Sequence, residues 1–227
     1  MSDYAGHDGV YCRRKEAGAV GWFLDDATYE TKWLPPIDEA LSQDHVPHEG
    51  CLLELGCGAG NLTVWLAKQG CQVSGIDVSL TAISWARERA SEEGIEADFR
   101  TGSVVDLYEY RAETFDVVLD GYCLHCIIGA DRASCLSSVY RVLRPGGWFV
   151  VLTGCKSAQT EALEGYDPVS CVVSGEHVPA PRYFAPPESI IQEVSRAGFE
   201  VVTWNPADID GEADLLTSRA RKPARSR

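Results

Sequence analysis

The stretch LLELGCGAGN (residues 52–61) runs from apolar residues into alternating glycines and ends on a polar residue. The apolar part predicts a buried strand, and residues 61–69 have the spacing of a helix. In α/β folds the turn between a strand and a helix is where ligands bind, and glycines there let the backbone approach a ligand closely. The stretch does not match the dinucleotide fingerprint G-x-G-x-x-G, because Asn61 stands where that pattern needs glycine. The glycines of the turn are Gly56, Gly58 and Gly60.

Around this turn, short apolar runs alternate with longer amphipathic segments along most of the chain. Strands that are joined by helices form right-handed crossovers, so their sheet is parallel and buried on both faces. The alternation therefore predicts the α/β fold class. The predicted strands are residues 51–55, 71–76, 96–100, 115–120, 148–153, 199–204 and a last strand within 212–223. The predicted helices are residues 61–69, 81–93, 131–143 and 187–197.

Two regions lie outside this alternation. Residues 1–45 form an N-terminal region whose first part is aromatic without a clear period and whose second part, residues 30–43, predicts a lead-in helix. Residues 154–187 form a long connection, and connections of this length in compact domains are usually functional. The chain is long enough to bury one core, so residues 46–227 are predicted to form a single structural domain.

The composition disfavours several classes of protein. The formal net charge of −14 argues against a nucleic-acid binder, because such proteins need clustered lysine and arginine to displace counterions. No apolar run approaches the roughly 20 residues that span a bilayer, and the first residues contain no apolar signal segment. The nine cysteines are scattered through apolar contexts, as reduced thiols are. We therefore expect a cytoplasmic protein without a membrane or nucleic-acid partner.

Two acidic residues accompany the glycine turn. Glu54 stands two residues before the first glycine, and Asp77 ends the second predicted strand, where a carboxylate can accept from both ribose hydroxyls of a nucleoside. With FDVVLD, YRVLRPGG and WFVVLT following in order, the pattern resembles the class I S-adenosylmethionine-dependent methyltransferases. The resemblance is close over residues 50–153, and AGFEVV and DLLTSRARKP are similar to the family's closing strands. It implies a Rossmann-like sheet flanked by helices, mostly parallel with an antiparallel last strand, an N-terminal lid and an insertion after strand five.

The resemblance also implies S-adenosylmethionine as the cofactor. By similarity, Glu54 steadies the turn, the glycines let the methionine part of the cofactor pass, and Asp77 holds the ribose. Ser103 and Val104 match the family's stretch beside adenine, and Asp120 ends strand four near the methionine end. The residues expected to bind the cofactor are Glu54, Gly56, Cys57, Gly58, Gly60, Asp77, Val78, Ser103, Val104 and Asp120.

The residues that follow strand four, 121–128, form in this family the wall between the methyl group and its acceptor. Methyl transfer is an in-line displacement, so much of its acceleration can come from alignment. A base matters only for a protonated acceptor, and a histidine such as His125 has a suitable unperturbed pKa for that role. Tyr122 is a second catalytic candidate, as a residue that contacts substrate. For both residues, packing against the cofactor alone is the alternative interpretation.

Cys123 and Cys126 stand in this wall at the spacing C-x-x-C, which allows four interpretations. A structural zinc site lacks its second pair of ligands in the sequence. A redox pair of the thioredoxin type needs a different strand and helix context. Binding of a soft metalloid acceptor would combine one of these thiolates with Cys155 or Cys171. The favoured interpretation is that both thiols are small wall residues, so we expect no resident metal.

Contacts to the acceptor are expected from the N-terminal region and from residues 154–187, where the family varies to fit its substrates. A guanidinium can pair with a carboxylate or phosphate group of an acceptor. The expected substrate contacts are Tyr11, Trp22, Arg182 and Tyr183, with Tyr166, His177 and Phe184 as further candidates.

The sequence thus predicts an enzyme that moves the sulfonium methyl group of S-adenosylmethionine to an oxygen, nitrogen or sulfur atom of a small molecule. One alternative is a thiol or metalloid methyltransferase, similar in chemistry to the arsenite methyltransferases, that uses Cys123 and Cys126. Another is a non-catalytic regulatory protein that binds the cofactor. An NAD-dependent oxidoreductase is disfavoured by Asn61. Monomer and homodimer both remain open.

Overall fold

The computed structural model describes residues 4–23, 25–42, 50–175, 178, 180–207 and 214–225. The predicted boundary between residues 45 and 46 and the candidate His177 lie outside this described part of the chain. No helix within these ranges is both long and apolar enough to cross a lipid bilayer.

The strands belong to two sheets. Those of the large sheet are β1 (Cys51–Leu55), β2 (Gln72–Asp77), β3 (Asp98–Thr101), β4 (Phe115–Gly121), β5 (Leu143–Cys155), β9 (Glu200–Ala207) and β10 (Asp214–Arg221). Those of the small sheet are β6 (Tyr166–Asp167), β7 (Val172–Val173) and β8 (Arg182–Tyr183). The helices are α1 (Ala5–Glu16), α2 (Asp26–Thr28), α3 (Leu34–Ser42), α4 (Asn61–Lys68), α5 (Leu80–Glu92), α6 (Asp131–Val142), α7 (Ala158–Glu161) and α8 (Pro187–Arg196). A π-helical turn spans Tyr29–Trp33, and a 3₁₀ turn spans Leu124–Cys126.

The large sheet has seven strands in the order β3-β2-β1-β4-β5-β10-β9. Strands β1 to β5 pair in parallel, and β10 is antiparallel to both β5 and β9. The order reverses between β1 and β4, which is the topological switch point where α/β sheets bind ligands. The predicted fold class, a mostly parallel sheet with an antiparallel last strand, is confirmed.

Both faces of the large sheet are buried, as its apolar strands require. In β1, for example, Leu53 packs on the side of α6 and α8, whereas Leu52 packs on the side of α3 and α4. Val118 and Val117 alternate in the same way in the neighbouring β4. Each such side chain contributes about 1.5–3 kcal/mol on burial, and a slip of one residue would exchange the two faces.

Strand β5 begins earlier than its apolar pattern predicts. The predicted strand starts at residue 148 after a helix that ends in Pro and Gly, but β5 already begins at Leu143, which pairs with Phe115. The backbone of the intervening segment is held at the end of β10, where Gly146 N–H donates to the Lys222 carbonyl and Lys222 N–H donates to the Gly147 carbonyl. Pairing with two neighbours thus overrides the local signal for a turn.

The N-terminal region also differs from its prediction. Its first part forms α1, although the sequence shows no helical period there. Polar contacts hold this helix: the Asp8 carboxylate accepts from the Ser79 hydroxyl and from the Thr81 N–H, at 2.6 and 3.0 Å. The predicted lead-in helix exists and begins earlier, because α2, the π-helical turn and α3 follow one another without a gap. The long connection 154–187 contains α7 and the small sheet.

Candidate functional site

A cavity of about 600 Å³ lies at the carboxyl ends of β1, β2 and β4. Its wall combines the glycine turn, the residues after β4, the N-terminal region and part of the connection after β5. Thirteen of the predicted site residues are in this wall: Tyr11, Trp22, Glu54, Gly56, Cys57, Gly58, Asp77, Val78, Ser103, Val104, Tyr122, His125 and Arg182. The further candidate Phe184 is also in the wall, whereas Gly60, Asp120, Tyr183 and the further candidate Tyr166 are not.

The glycine turn is tightly covered from two sides. Gly56 and Gly58 have φ angles of +60° and +54°, in the left-handed region that side chains rarely adopt. A Cβ on Gly56 would lie 2.7 Å from the Cys123 sulfur, and a Cβ on Gly58 would lie 2.4 Å from the Tyr11 hydroxyl oxygen. The turn therefore needs glycine both for its backbone conformation and for the space it leaves in the cavity.

Gly60 has a different role from the one predicted. Its φ angle is +76°, and a Cβ there would lie 2.9 Å from the Ala86 Cβ on α5. This glycine lets α4 and α5 pack closely, outside the cavity wall.

The Asp77 carboxylate, at the end of β2, is fixed by two backbone donors. Gly58 N–H donates to one oxygen and Ser79 N–H to the other, both at 2.9 Å. Each carboxylate oxygen keeps a further lone pair for a ligand. Burial raises the pKa of Asp77 to about 6, although the two N–H donors act in the opposite direction.

Glu54 lies deep in the cavity wall with only 4% of its surface exposed. The Thr63 hydroxyl donates to its carboxylate, and burial raises the pKa of Glu54 to about 8. Tyr29 and Tyr122 are wall residues in the same part of the cavity, and their buried hydroxyls have no hydrogen-bond partner among the described residues. The negative charge of Glu54 adds to burial in raising the pKa of Tyr29. Sequence reasoning missed Tyr29, because it lies in a segment without periodicity.

The Asp120 carboxylate binds the backbone of the turn after β4. Its side chain is fully buried, and one oxygen accepts from the N–H groups of Cys123 and Leu124 at 2.8 and 2.7 Å. Burial raises the pKa of Asp120 to about 7. Through its accepting oxygen Asp120 holds the turn that carries Tyr122 and Cys123, and its other oxygen has no hydrogen-bond partner among the described residues. The predicted contact with the methionine end of the cofactor stays a prediction.

His125 stacks on Phe184, with ring centroids 5.8 Å apart and planes 14° apart. The Gly154 N–H donates to His125 Nδ1 at 3.4 Å, and the Thr153 hydroxyl lies 3.4 Å from the same nitrogen. These contacts favour the neutral tautomer with its hydrogen on Nε2. Burial lowers the pKa of His125 to about 3, and the charges of Arg182 and Arg132 add to this effect. The neutral ring is therefore arranged as a hydrogen-bond donor at Nε2, which disfavours the predicted role as a proton acceptor.

The connection after β5 contributes alternate residues to the cavity wall. Arg182 and Phe184 are wall residues, whereas Tyr183 between them faces the opposite way and donates to Glu193 at 2.8 Å. The guanidinium of Arg132 lies 3.9 Å from the centroid of the Tyr183 ring. The prediction that Tyr183 contacts the substrate is therefore wrong, because strand alternation turns this ring into the packing against α8.

The Arg182 guanidinium is held by an aromatic ring and by backbone carbonyl oxygens rather than by a carboxylate. Its guanidinium lies 5.7 Å from the centroid of the Trp22 ring and donates to the carbonyl oxygens of Ala180 and Pro181 at 2.8 and 3.2 Å. Within the described residues, no aspartate or glutamate lies within ion-pair distance of it. A positive charge without a counter-ion thus stands in the cavity wall.

The N-terminal region supplies most of the aromatic surface of the cavity. Trp22 meets Tyr11 edge to face at 5.5 Å, and Phe23 contacts both Tyr29 and Trp33, at 5.2 and 5.3 Å. Trp33 in turn meets Tyr122 edge to face at 4.7 Å, which joins the N-terminal region to the residues after β4. We call these rings the aromatic wall; its members are Tyr11, Trp22, Phe23, Tyr29, Trp33, Tyr122 and Phe184.

Cys123 and Cys126 both face the cavity as free thiols. Burial raises the pKa of Cys126 to about 11 and that of Cys123 well above the usual range, so both are protonated. Cys155 and Cys171 are not in the cavity wall. Across the described part of the chain, no group of three or more histidine, cysteine, aspartate or glutamate side chains is arranged to hold a metal ion.

Residues 53–151 match a protein family described as a methyltransferase domain. The ubiquinone biosynthesis O-methyltransferase of Hahella chejuensis is 36% identical over 127 residues, which are 53% of this chain and 52% of that protein. The demethylmenaquinone methyltransferase of Lactiplantibacillus plantarum is 32% identical over 120 residues, 50% of this chain and 49% of that protein. The chain thus spans about half the length of these curated relatives.

Solved structures share the fold over nearly the whole chain. The 1,6-didemethyltoxoflavin-N1-methyltransferase of Burkholderia thailandensis, solved with 1,6-didemethyltoxoflavin and S-adenosylhomocysteine, is 20% identical with a TM-score of 0.72, and the match covers 96% of this chain and 88% of that one. The (4+2)-cyclase SpnF is 19% identical with a TM-score of 0.73, and the match covers 98% and 95% of the two chains. At such low sequence identity these similarities establish the fold alone, and the chemistry must be argued from the residues of the site.

Proposed function

We propose that this chain, whose residues 53–151 form a class I S-adenosylmethionine-dependent methyltransferase domain, transfers the methyl group of that cofactor to a small molecule. The observation that carries the proposal is that residues suited to the cofactor and residues suited to the acceptor line the same cavity. The glycine turn and Asp77 stand on one side, and the wall after β4 with the aromatic N-terminal region stands on the other. A cofactor and an acceptor that enter this cavity lie side by side.

The residues around the glycine turn fit the cofactor. The two Asp77 oxygens accept from the ribose hydroxyls, and Ser103 and Val104 flank the adenine. Glu54 pairs with the ammonium group of the amino-acid end. The unpartnered hydroxyls of Tyr29 and Tyr122 support this placement, because buried hydroxyls without a partner are costly unless a ligand satisfies them.

When bound, S-adenosylmethionine supplies a sulfonium methyl group, which a lone pair of the acceptor takes as the carbon–sulfur bond breaks and a neutral thioether leaves. The work of the chain is then to align the acceptor and to exclude water, and well-oriented reactants reach effective molarities of roughly 10⁵–10⁸ M. Tyr122 and the Cys123 thiol line the space beside the glycine turn, where the acceptor must align with the methyl group. His125 donates from Nε2 and so orients the acceptor rather than removing its proton.

The N-terminal region serves as a lid over this reaction space. Asn61 and Arg89 both donate to the Val20 carbonyl, and Asp8 caps the start of α5, so the region is attached to the helices that follow β1 and β2. It lies outside the matched residues 53–151, as do Arg182 and Phe184. The acceptor side therefore combines the wall after β4, which lies within the matched residues, with parts of the chain outside them.

A thiol or soft metalloid is the second candidate acceptor, because Cys123 and Cys126 both face the cavity. Two neighbouring thiols suit a soft centre once they are deprotonated. Cys155 and Cys171, the predicted further ligands, lie outside the wall, so this version depends on two thiols alone. Transfer to arsenite or to a thiol that persists in the C123S and C126S variants excludes it.

Binding calorimetry with S-adenosylmethionine, S-adenosylhomocysteine and NAD tests the cofactor. We expect micromolar binding of the first two, no binding of NAD, and at least tenfold weaker binding in D77A. D98A is the matched control, because Asp98 is an exposed acid on the neighbouring β3. Tight binding of NAD without affinity for S-adenosylmethionine would overturn the proposal in favour of an oxidoreductase.

A methyl-label transfer screen across phenols, carboxylates, amines, thiols and metalloids tests the reaction. We expect S-adenosylhomocysteine to form in proportion to the methylated product. Cofactor binding without turnover on any acceptor class would favour the non-catalytic alternative, a relevant outcome since a cyclase shares this fold.

A further inference from the structure

We infer that the methyl acceptor is a planar aromatic molecule with a carboxylate group, and that Arg182 binds this carboxylate. The inference rests on the proposed function, because it names the acceptor class of the same cavity. The inference concerns only the part of the cavity that binds the acceptor, to which neither the glycine turn nor Asp77 contributes.

The first argument is the unpaired charge of Arg182. Arg132 and Arg182, which both lie near the residues after β5, have different surroundings. Arg132 is buried and meets the Glu193 carboxylate at 2.6 Å, whereas Arg182 donates to two carbonyl oxygens and meets no carboxylate of the described residues. A partly buried cation is costly without a counter-ion, and guanidinium is the cation best suited to a bidentate bond with a carboxylate. A ligand anion would complete the site.

The second argument is a neighbouring donor. His125 stacks on Phe184, which is two residues from Arg182 in the chain, and all three are wall residues. The charge of Arg182 accordingly adds to burial in lowering the pKa of His125. His125 Nδ1 accepts from the Gly154 N–H, which favours the tautomer with its hydrogen on Nε2. A cation and a neutral hydrogen-bond donor thus belong to the same cavity wall, and both can bind an anion.

The third argument is the shape and chemistry of the surroundings. Arg182 lies over the Trp22 ring, and His125 lies nearly parallel to Phe184. Flat rings of the aromatic wall surround the two donors and stack well on a planar aromatic molecule. An aliphatic carboxylate would satisfy the charge but would not stack on the other rings of the aromatic wall.

Calorimetry on the full chain saturated with S-adenosylhomocysteine tests the inference with matched pairs of probes. The pairs are benzoate and benzamide, 4-hydroxybenzoate and 4-hydroxybenzamide, and 2-naphthoate and 2-naphthamide. We expect at least one carboxylate to bind tenfold or more tightly than its amide, and cyclohexanecarboxylate to bind more weakly than benzoate. The R182M variant should reduce the ratio between carboxylate and amide to about one, whereas R182K should keep part of it.

R221A is the matched control for the substitution. Arg221 also lies 5.7 Å from a tryptophan ring, that of Trp148, and also donates to a backbone carbonyl, but it is outside the cavity. R221A should leave the ratio unchanged, and all variants should bind S-adenosylhomocysteine as the wild type does.

Three results overturn the inference while the cofactor still binds. They are equal affinity of carboxylates and amides, a ratio that survives in R182M, and no binding of any aromatic carboxylate. Loss of S-adenosylhomocysteine binding in the wild type would instead contradict the proposed function itself, so the two failures are distinguishable.

Discussion

Gly58 lies against the phenol of Tyr11, so closely that a Cβ on the glycine would be 2.4 Å from the hydroxyl oxygen. The contact joins α1 to the glycine turn across 47 positions of sequence, from residue 11 to residue 58. Nothing but hydrogen fits between them.

Replacement of Gly58 by alanine should therefore damage the site twice, through the φ angle of +54° and through the clash with Tyr11. We expect at least hundredfold weaker binding of S-adenosylhomocysteine by calorimetry. G94A is the control, because Gly94 has a φ angle of +65° and nothing within 4 Å of its Cβ position. It should lower stability by roughly 1 kcal/mol without changing affinity. Equal affinity losses in G58A and G94A would show that the contact with Tyr11 is irrelevant.

Binding of the cofactor should release a proton from Glu54. Burial raises the pKa of this carboxyl to about 8, so most of it is protonated in the free protein at pH 7. Pairing with an ammonium group favours the ionised form and lowers the pKa again. Calorimetry at pH 7 in buffers of different ionisation enthalpy should show a release that approaches one proton.

The E54Q variant should release almost no proton on binding and should bind the cofactor more weakly. E96Q, which alters an exposed acid on the surface, should behave as the wild type does. A release that is the same in the wild type and in E54Q would contradict the placement of the ammonium group beside Glu54.

Asp120 should make the folded protein less stable as the pH rises. Its pKa is about 7 in the folded chain and about 3.9 when unfolded, so the folded state holds the extra proton between these values. The stability linked to this proton is complete below about pH 4 and is lost as the pH rises through 7. Denaturant unfolding of the wild type should show this fall.

The D120N variant should show a smaller fall in stability between pH 5 and 8, since its amide does not titrate. Part of the fall should remain, because the pKa values of Glu54 and Asp77 are also raised by burial. D98N, at an exposed acid, should keep the full wild-type fall. The same slope in D120N and D98N would show that Asp120 is ionised in the folded protein at neutral pH.

His125 should stay neutral with its hydrogen on Nε2 from pH 8 down to pH 5, because burial and neighbouring arginines lower its pKa to about 3. Nitrogen-15 NMR of the imidazole nitrogens distinguishes this tautomer from both the Nδ1–H form and the cation. In denaturant the same residue should titrate near 6.5. A titration near 6.5 in the folded protein would restore His125 as a general base.

The central sheet could be predicted from the sequence because parallel strands that are buried on both faces are continuous apolar runs. The glycine turn was equally readable, since Gly56 and Gly58 need positive φ angles that few other residues tolerate. Asp77 followed from its place at the end of β2. These features depend on residues that are close together in the sequence, so they are visible in short stretches of it.

The acceptor side depends on contacts that a local pattern does not record. Helix α1 shows no clear helical period, and the polar bonds from Asp8 to a residue of α5 and to Ser79 before it are not recorded in an apolar pattern. Tyr29 reaches the cavity from a π-helical turn. Asp77 and Asp120 both lie at the carboxyl ends of their strands. Only the turn geometry after β4 shows that the Asp120 carboxylate accepts from backbone N–H groups of that turn.

The bond between Asp8 and Thr81 also sets an order of events during synthesis. Its two partners are 73 positions apart, and at about 5–20 residues per second the ribosome needs roughly 4–15 s to produce the second after the first. Until the end of that interval the Asp8 carboxylate of α1 lacks the Thr81 N–H that binds it in the folded protein. Helix α1 is thus synthesised before Ser79 and Thr81, to which its Asp8 carboxylate binds in the folded protein.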